Sequence, residues 1–371
     1  MFRIQGSDGK ARVGILETQR YKIETPLFLP VATKGVQKLV SQKELEEIGF
    51  DCIIVNSFLL YLRPGINVIK KCGGIHKFMN WKNGIFSDSG GFQVLKKSFL
   101  IGKNDKGVKF RSPFDNSKHF FTPEDSIRIQ HEMGCDICMA LDDVPSFGMS
   151  FEEVAECVRR THLWAERCLK VKKDSQILFG IAQGNIFPQL RKASTKFISN
   201  LPFDGIAFGG ICIGEPKEKT IEMIKLSSEN SPDEKVRYLM GVGDPELILE
   251  AIENGIDIFD SAFPVTMASR GIIFTENGKI KIKTKRYEID FSPLDENCSC
   301  YVCKNFSKAY IRHLIKLKEP MGLRYAAFHN LHFIKNLIER ARKSILKGEF
   351  QEFKNSFLKN FRGDSLSHQK R

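Results

Sequence analysis

Short apolar runs recur along the chain, and each is separated from the next by a helix-sized polar or amphipathic segment. Apolar runs of this length, bounded by polar or glycine-containing segments, predict buried strands. We predict eight strands, at residues 26–33, 52–56, 85–89, 136–142, 177–183, 205–210, 236–242 and 255–260.

The segments between these strands have helical spacing, for example residues 41–49, 151–170 and 244–255. Buried strands that alternate with helices predict a parallel sheet covered by helices, and eight is the number of strands that closes a barrel. The chain has no G-x-G-x-x-G or G-x4-G-K-[ST] motif, so a nucleotide-binding sheet is not indicated. We therefore predict an α/β fold of the (β/α)8 TIM-barrel type.

Polar residues stand at the carboxyl-terminal ends of these strands, where the loops of a barrel converge. They are Asp88, Asp142 with Asp143, Gln183, Glu215 and Asp260. A single acid in such a place is commonly just a helix N-cap. Several carboxylates on one rim suit nucleophilic and acid–base chemistry at an anomeric carbon.

Glycines cluster at the same ends, in Ser89-Gly90-Gly91, Gly209-Gly210 and Gly241-x-Gly243. Glycine allows the backbone to approach a flat ligand closely, or simply makes a tight turn. Asp244 and Pro245 have the order of an N-cap and a first helical residue. Free amides at that helix start could bind a phosphate, although capping alone explains the motif nearly as well.

Three cysteines and a histidine near the C-terminus have the spacing of a metal site: Cys298, Cys300, Cys303 and His329. Three thiolates and one imidazole complete a tetrahedral zinc site with no open position, which predicts one structural Zn²⁺ per subunit. The alternative is a set of free cysteines with a chance histidine. A second C-x2-C pair, Cys135 and Cys138, lies in an apolar run and is better explained by core packing.

The predicted organisation is thus one domain over residues 1–371. The barrel covers about 20–275 and is closed by C-terminal helices at about 330–360, and a zinc-binding subdomain is inserted at about 276–335.

The net charge of +13 favours a polyanionic partner. Residues 279–289 alternate basic and apolar positions, as a strand with one cationic face would. No apolar run is long enough to span a membrane and the N-terminus has no signal-like core, so we expect no membrane association and a cytoplasmic location.

Seven motifs, in this order, resemble those of the tRNA-guanine transglycosylases, the queuosine-forming tRNA-ribosyltransferases. They are SDSGGFQV (87–94), LDDVP (141–145), GIAQG (180–184), GGICIGEP (209–216), MGVGDPE (240–246), IDIFDSAFP (256–264) and CSCYVCKNFSKAYIRHL (298–314) with HN at 329–330. The resemblance covers nearly the whole chain. It implies an enzyme, commonly a homodimer, that replaces guanine at the wobble position of tRNAs with G-U-N anticodons by a 7-deazaguanine.

The resemblance also implies a role for each matching position. Asp260 would be the nucleophile that forms a covalent tRNA intermediate, and Asp88 the general acid and base. The implied substrate-binding residues are Asp88, Ser89, Gly90, Gly91, Phe92, Asp142, Gln183, Gly210, Glu215 and Met240. The implied RNA-binding residues are Gly241, Val242, Gly243, Asp244, Pro245, Glu246, Leu247, Val265, Thr266, Met267, Ala268 and Ser269.

Two departures from the family pattern concern substrate choice. Most bacterial members read P-T-R-N-A-R after the nucleophile, whereas residues 264–270 here read PVTMASR, so anticodon recognition is either relaxed or supplied by other basic residues. Val144 stands where bacterial members usually have cysteine and queuine-using eukaryotic members have valine, yet Ile213 stands where those have glycine. The incoming base is therefore open between the prequeuosine base and queuine.

Two other functions fit parts of the sequence. A non-catalytic tRNA-binding subunit of the same family would explain the missing arginines, but it has no use for the acids at the rim. A sugar-cleaving barrel glycosidase predicts aromatic platforms near the rim, and the chain has only two tryptophans, Trp81 and Trp164.

Overall fold

A ring of parallel strands forms the centre of the protein, in a computed structural model that describes residues 1–91 and 99–367, with side chains described as far as 362. The strands of the described chain are β1 Phe2–Asp8, β2 Ala11–Glu17, β3 Lys22–Thr25, β4 Leu27–Leu29, β5 Val31–Ala32, β6 Cys52–Asn56, β7 Gly84–Asp88, β8 Leu100–Asn104, β9 Gly107–Arg111, β10 Lys118–Phe121, β11 Ile137–Met139, β12 Ile177–Ala182, β13 Gly205–Phe208, β14 Val236–Leu239, β15 Ile258–Asp260, β16 Ile272–Thr275 and β17 Gly278–Lys281.

The ring closes through a strand that is interrupted at Pro30. The large sheet has the order β4-β15-β14-β13-β12-β11-β7-β6-β5, and all of its pairings are parallel. Its two ends, β4 and β5, are halves of one segment, since Pro30 has no N–H for the ladder while its carbonyl accepts from Ile54 N at 3.0 Å. Counted as one strand, they make eight, and the predicted (β/α)8 barrel is confirmed.

Helices cover the outside of the ring. Those of the described chain are α1 Gln42–Ile48, α2 Ser57–Leu62, α3 Ile66–Lys71, α4 Ile75–Met79, α5 Pro123–Met133, α6 Phe151–Val171, α7 Pro188–Asn200, α8 Lys217–Glu229, α9 Pro245–Glu253, α10 Phe263–Arg270, α11 Tyr301–Asn305, α12 Lys308–Lys316, α13 Pro320–Lys347 and α14 Phe350–Ser367, with a 3₁₀ turn at Lys285–Tyr287. The three helices that the spacing predicts are α1, α6 and α9. None of the helices in the described ranges is both long and apolar enough to cross a membrane.

Two hydrophobic layers follow from the period of the strands. Alternate strand residues such as Phe86, Phe179 and Tyr238 point inward and fill the barrel. Their neighbours, such as Ile85 and Leu178, pack outward under the helices in the larger cluster. Because side chains on both faces are buried, the strands read as continuous apolar runs in the sequence.

Small antiparallel sheets are added at both ends of the barrel. At the amino end, β1–β3 are fastened by buried Arg12, which donates to Asp257 at 2.9 and 2.6 Å just before β15. Sheet β8–β10 is inserted between β7 and α5, and the sequence pattern does not predict it. The hairpin β16–β17 precedes the cysteines; the predicted strand over 279–289 is wrong beyond Lys281, because the chain turns and forms the 3₁₀ helix.

Candidate active site at the carboxyl end of the barrel

A cavity of about 310 Å³ opens at the carboxyl end of the strands. It is lined by Val31, Thr33, Ile54, Val55, Asn56, Asp88, Asp142, Val144, Gln183, Gly209, Gly210, Ile211, Cys212, Ile213, Met240, Gly241 and Asp260. Six of the residues predicted to bind substrate or to react are among them. The strands β7, β12 and β15 each contribute a polar group at or next to their last residue, which is why residues far apart in sequence meet here.

Asp260 ends β15, and one of its oxygens is held by two donors. Tyr238 Oη donates to Asp260 Oδ1 at 2.6 Å, and Gly241 N donates to the same atom at 2.9 Å. Burial raises the pKa of Asp260, while these two hydrogen bonds act to lower it. Within the described chain Oδ2 has no donor, so the carboxylate is fixed in orientation with one oxygen available for attack.

Asp88 ends β7, three strands from β15 around the ring, and is oriented by the neighbouring strand β6. Asn56 Nδ2, at the end of β6, donates to Asp88 Oδ2 at 3.1 Å, and Gly90 N donates to Oδ1 at 3.3 Å. Ser57 Oγ donates to the Asp88 carbonyl at 2.6 Å and fixes the backbone at the strand end. The carboxylate is thus pre-positioned at the cavity wall, as a proton-transfer group must be.

Asp142 and Gln183 form a polar edge on the third side of the cavity. Gln183 Nε2 donates to Asp142 Oδ2 at 2.6 Å, and both residues are buried. Burial, with the charges of Asp88 and Asp143 adding to it, raises the pKa of Asp142 to about 7, although the Gln183 hydrogen bond lowers it. A carboxylate and an amide side by side can match adjacent N–H and C=O groups on a flat heterocycle.

Two glycines are required for this edge to form. A Cβ at Gly91 would lie 2.6 Å from Asp142 Oδ1, and one at Gly210 would lie 2.2 Å from Gln183 Oε1. Gly90 has a φ of 86° and would drive a Cβ to 2.2 Å from Phe58 Cβ. The glycines of Ser89-Gly90-Gly91 and Gly209-Gly210 are therefore needed for close packing around the polar edge and not only for turns.

The second acid of the pair, Asp143, points away from the cavity into an ion network. Lys103 Nζ, from the inserted strand β8, donates to Asp143 Oδ1 at 2.6 Å, and Arg160 on α6 binds Oδ2. Asp143 is fully buried, so two cations are needed to compensate its charge. This network ties the inserted sheet to the backbone of Asp142.

Glu215 lies behind the cavity wall. It accepts hydrogen bonds from the backbone N–H groups of Cys212 and Ile213 and from Thr220 Oγ1 at 2.8 Å. Burial raises the pKa of Glu215, but these hydrogen bonds more than offset it and the net pKa is lowered. The ionised carboxylate thus supports the wall formed by Ile211, Cys212 and Ile213.

The segment 241–247, which the resemblance associates with RNA, leads from the cavity into α9. Asp244 Oδ1 accepts from Glu246 N at 3.1 Å and from Leu247 N at 3.4 Å, so these amides are already occupied by the cap. Lys279 binds the other oxygen of Asp244. Gly241 is exposed, whereas Val242, Gly243 and Pro245 are buried.

The segment 265–269 forms most of α10, directly after the cavity. Val265, Met267 and Ala268 are buried, which leaves Thr266 and Ser269 half-buried and Arg270 exposed. The polar groups that this helix offers to a partner are therefore Thr266, Ser269 and Arg270.

Cys298, Cys300, Cys303 and His329 come together as a candidate metal centre. Their donor atoms all lie within 4.8 Å of one another, and His329 Nδ1 is 3.7, 3.6 and 3.3 Å from the three sulfurs in that order. A tetrahedral zinc ion would place such atoms about 3.6 Å apart. His329 Nε2 donates to the Phe274 carbonyl at 2.7 Å, which leaves Nδ1 free to bind a metal. The cluster could hold a metal ion.

The helix that carries His329 is also tied to the active-site side of the chain. Buried Asn330 donates from Nδ2 to the carbonyls of Pro264 and Ile272, both at 3.0 Å, and accepts from Phe274 N at 3.0 Å. Pro264 lies four residues after Asp260. One side chain thus joins α13, the start of α10 and β16.

Several functional contacts are absent from the sequence-based predictions. Asn56 has the same signal as the other rim residues, a polar side chain at a strand end, and could have been found by it. Tyr238 and Arg191 have no such signal in the sequence. Tyr238 lies in an ordinary strand pattern and Arg191 in an ordinary helix pattern. His332 Nδ1 also lies 3.6 Å from Cys298 Sγ, next to the four predicted ligands. Phe92, predicted to stack on the base, lies outside the described residues.

Comparison with known proteins places the chain in a family. The fold and the convergent carboxylates define its class as an α/β-barrel enzyme. The family model described as "Queuine tRNA-ribosyltransferase" matches residues 7–363, and the chain belongs to this family.

Curated relatives agree over the full length. The chain is 45% identical over 366 residues to the queuine tRNA-ribosyltransferase of Fusobacterium nucleatum, covering 98% of each chain. It is 44% identical over 353 residues to that of Desulforamulus reducens, covering 95% of each. It is 42% identical over 367 residues to that of Thermotoga neapolitana, covering 99% of each.

Proposed function

We propose that this protein is a tRNA-guanine transglycosylase, a pentosyltransferase that exchanges guanine at the wobble position of G-U-N tRNAs for a 7-deazaguanine. The observation that carries the proposal is one cavity in which two oriented carboxylates, Asp260 and Asp88, face a polar edge made by Asp142 and Gln183. The first pair suits displacement at an anomeric carbon, and the edge suits a guanine-like base.

Asp260 is the proposed nucleophile. Because Tyr238 and Gly241 both donate to Oδ1, that oxygen is partly neutralised and the carboxylate cannot rotate freely. Oδ2 attacks C1′ of the wobble ribose and the bond from C1′ to guanine breaks. The product is an ester between Asp260 and C1′ of the tRNA, whose sugar–phosphate backbone stays intact. Asp88 gives the departing guanine its proton.

Asp88 then acts in the opposite direction. As a carboxylate it takes a proton from the incoming 7-deazaguanine, whose nitrogen attacks C1′ and expels Asp260. One glycosidic bond replaces another, so the sum of the two steps needs neither water nor a high-energy cofactor. In this proposal the incoming base and not water resolves the ester, in contrast to a glycosidase in which water completes the reaction.

Base recognition in this proposal uses the polar edge formed by Asp142 and Gln183. Asp142 accepts the two adjacent N–H groups of the base, and Gln183 with the Gly210 amide donates to its carbonyl oxygen. Met240 and the aromatic residue expected at Phe92 would cover the two faces. Val144 and Ile213 line the side of the cavity where the 7-substituent would lie. A base-exchange assay run with the prequeuosine base and with queuine chooses between these two substrates.

The partner and the metal complete the proposal. The net charge of +13 supports binding of a tRNA phosphate backbone. Gly241 lines the cavity, and Thr266, Ser269 and Arg270 lie on α10, which follows the strand of Asp260. The four-ligand cluster would hold one structural Zn²⁺ per subunit, since it leaves no position for a reacting water. We also propose a homodimer and a cytoplasmic location.

The proposal is tested by incorporation of labelled guanine into a G-U-N tRNA. We expect incorporation, and none into a matched tRNA whose wobble guanine is replaced by adenine, because exchange requires the guanine to leave. Binding of both tRNAs without incorporation in either would instead support a non-catalytic tRNA-binding subunit.

The raised pKa of Asp142 predicts a pH-dependent base affinity. The base requires the carboxylate as a double acceptor, and the pKa of Asp142 in the free protein is about 7. As the pH falls through that value the carboxyl becomes protonated, so the KM for guanine should rise about tenfold for each pH unit below it. Above it the KM should be constant.

The measurement is the KM for guanine between about pH 5.5 and about pH 8.5, at saturating tRNA. Asp142→Asn is the matched control, because it keeps the shape but cannot ionise, and its KM should be high and independent of pH. A flat profile in the unaltered enzyme, together with an unchanged KM in Asp142→Asn, would contradict the assignment of Asp142 to base recognition.

A further inference from the structure

Arg191 is a buried cation that the proposed mechanism does not use. It lies in the first turn of α7, is fully buried, and makes no ion pair within residues 1–91 and 99–367. Its Nε also has no hydrogen-bond partner there. Burial lowers the pKa of Arg191 to about 10, partly opposed by the charge of Glu215, so the side chain is still a cation at neutral pH.

The guanidinium donates to backbone carbonyls at the ends of two adjacent barrel strands. Nη1 donates to the Ala182 carbonyl at 3.0 Å, and Nη2 donates to the Gly209 carbonyl at 2.9 Å and the Asn185 carbonyl at 3.3 Å. Ala182 and Gly209 are the residues directly before Gln183 and Gly210. Arg191 therefore fixes the two peptides from which the base-recognising groups project.

Glycines also surround this part of the rim, because the start of α7 and the Gln183 side chain pack closely against the backbone there. A Cβ at Gly184 would lie 2.5 Å from Arg191 N, and a Cβ at Gly209 would lie 2.4 Å from Gln183 Nε2. The Gln183 backbone is held separately, since its N–H donates to Ser194 Oγ at 3.0 Å. The start of α7 and the Gln183 side chain thus both pack directly against glycine backbone at the two strand ends.

The arginine has both a cost and a gain in stability. A buried guanidinium without a carboxylate is unfavourable, whereas its hydrogen bonds reach the Gly209 and Asn185 carbonyls, which an apolar side chain would leave without this donor. The carbonyls that it satisfies are at the rim, where the ladder between β12 and β13 ends. Recognition of a ligand at that rim requires the recognising groups to be held in place within fractions of an ångström.

We propose that Arg191 is a positioning residue for base recognition, which holds the Gln183 and Gly210 peptides at the spacing that a guanine-like base requires. The proposal rests on the function proposed above and assigns to Arg191 no contact with the base. It predicts a defect in base affinity that is separate from tRNA affinity.

The test compares Arg191→Met and Arg191→Lys with Arg237→Lys. Arg237 is a matched control because it is also buried and donates to backbone carbonyls, those of Ser231 and Gly255, but at the amino end of the barrel. For Arg191→Met we expect the KM for guanine to rise about tenfold or more, with the KM for tRNA unchanged. Lysine, which keeps the charge but has fewer donors in a different geometry, should recover part of the affinity.

Thermal melting and direct calorimetric binding of guanine without tRNA complete the experiment. Arg237→Lys should lower the melting temperature and leave guanine binding unchanged. Arg191→Lys should weaken guanine binding, with a melting temperature comparable to that of Arg237→Lys. Equal changes in guanine and tRNA affinity, or unchanged guanine binding in a folded Arg191→Lys protein, would overturn the proposal. Failure of the unaltered protein to exchange guanine while it still binds the base would instead count against the function and leave this comparison valid.

Discussion

Asp260→Asn should abolish base exchange while tRNA still binds. The substitution keeps the size of the side chain and its place beside Tyr238 and Gly241, but an amide oxygen is a far weaker nucleophile than a carboxylate. We expect exchange to fall by at least about 10³-fold. Affinity for tRNA should stay within about twofold, because phosphate contacts supply most of it.

Two measurements made together check this prediction. Labelled-guanine incorporation reports exchange, and a denaturing protein gel reports the covalent adduct as an RNA-shifted band that must vanish in Asp260→Asn. Asp51→Asn is a suitable control, since Asp51 is an exposed acid next to β6 at the opposite end of the barrel. Exchange near the normal rate in Asp260→Asn, or an adduct that persists, would refute the nucleophile assignment.

Cys300→Ser should remove the metal and destabilise the fold together. Cys300 is buried, is one of the four candidate ligands, and also caps α11 by accepting from Cys303 N. A hydroxyl is a poor zinc ligand, so affinity for Zn²⁺ should fall by well over the roughly 100-fold that loss of an outer contact costs. Because metal binding is coupled to folding, the free energy of unfolding should fall as well.

Metal analysis, chelator competition and urea unfolding of the same preparation test this second prediction. Cys72→Ser, at an exposed cysteine away from the cluster, should keep both the metal and the unfolding midpoint. A Cys300→Ser protein that retains stoichiometric zinc, or that loses zinc with an unchanged unfolding curve, would contradict a structural metal site.

The barrel could be predicted from the sequence because its strands are buried on both faces. Runs such as 177–183 and 205–210 have no polar face to confuse the pattern, and the polar residues at strand ends, such as Asp88, Gln183 and Asp260, mark the rim. The inserted sheet β8–β10 could not be predicted in the same way, since β8 is half-exposed, short and irregular in register. The strand over 279–289 failed because alternation continues for some residues after the chain has turned.

The residues of the site also fall into two groups, those that the sequence pattern marks and those that it does not. Residues that touch the cavity by their side chains, such as Asp88, Asp142 and Asp260, have a positional signal, a polar group after an apolar run. Tyr238 orients the Asp260 carboxylate, and Arg191 contacts the backbone beside Gln183 and Gly210. In the sequence each has the pattern of an ordinary strand or helix residue. Their contribution depends on which carbonyl or carboxylate the fold brings next to them, and that is tertiary information.

If the cysteine cluster holds zinc as proposed, Asn330 links the supply of metal to the number of working molecules and not to the quality of each. Its neighbour His329 is a predicted ligand, and its own amide holds Pro264, in the turn that leads away from Asp260. On the proposal that zinc stabilises this part of the fold, a molecule whose cysteine cluster is empty would hold that segment less firmly. A cell short of zinc would then hold a mixture of fully active and inactive copies, with an unchanged KM and a reduced maximal rate.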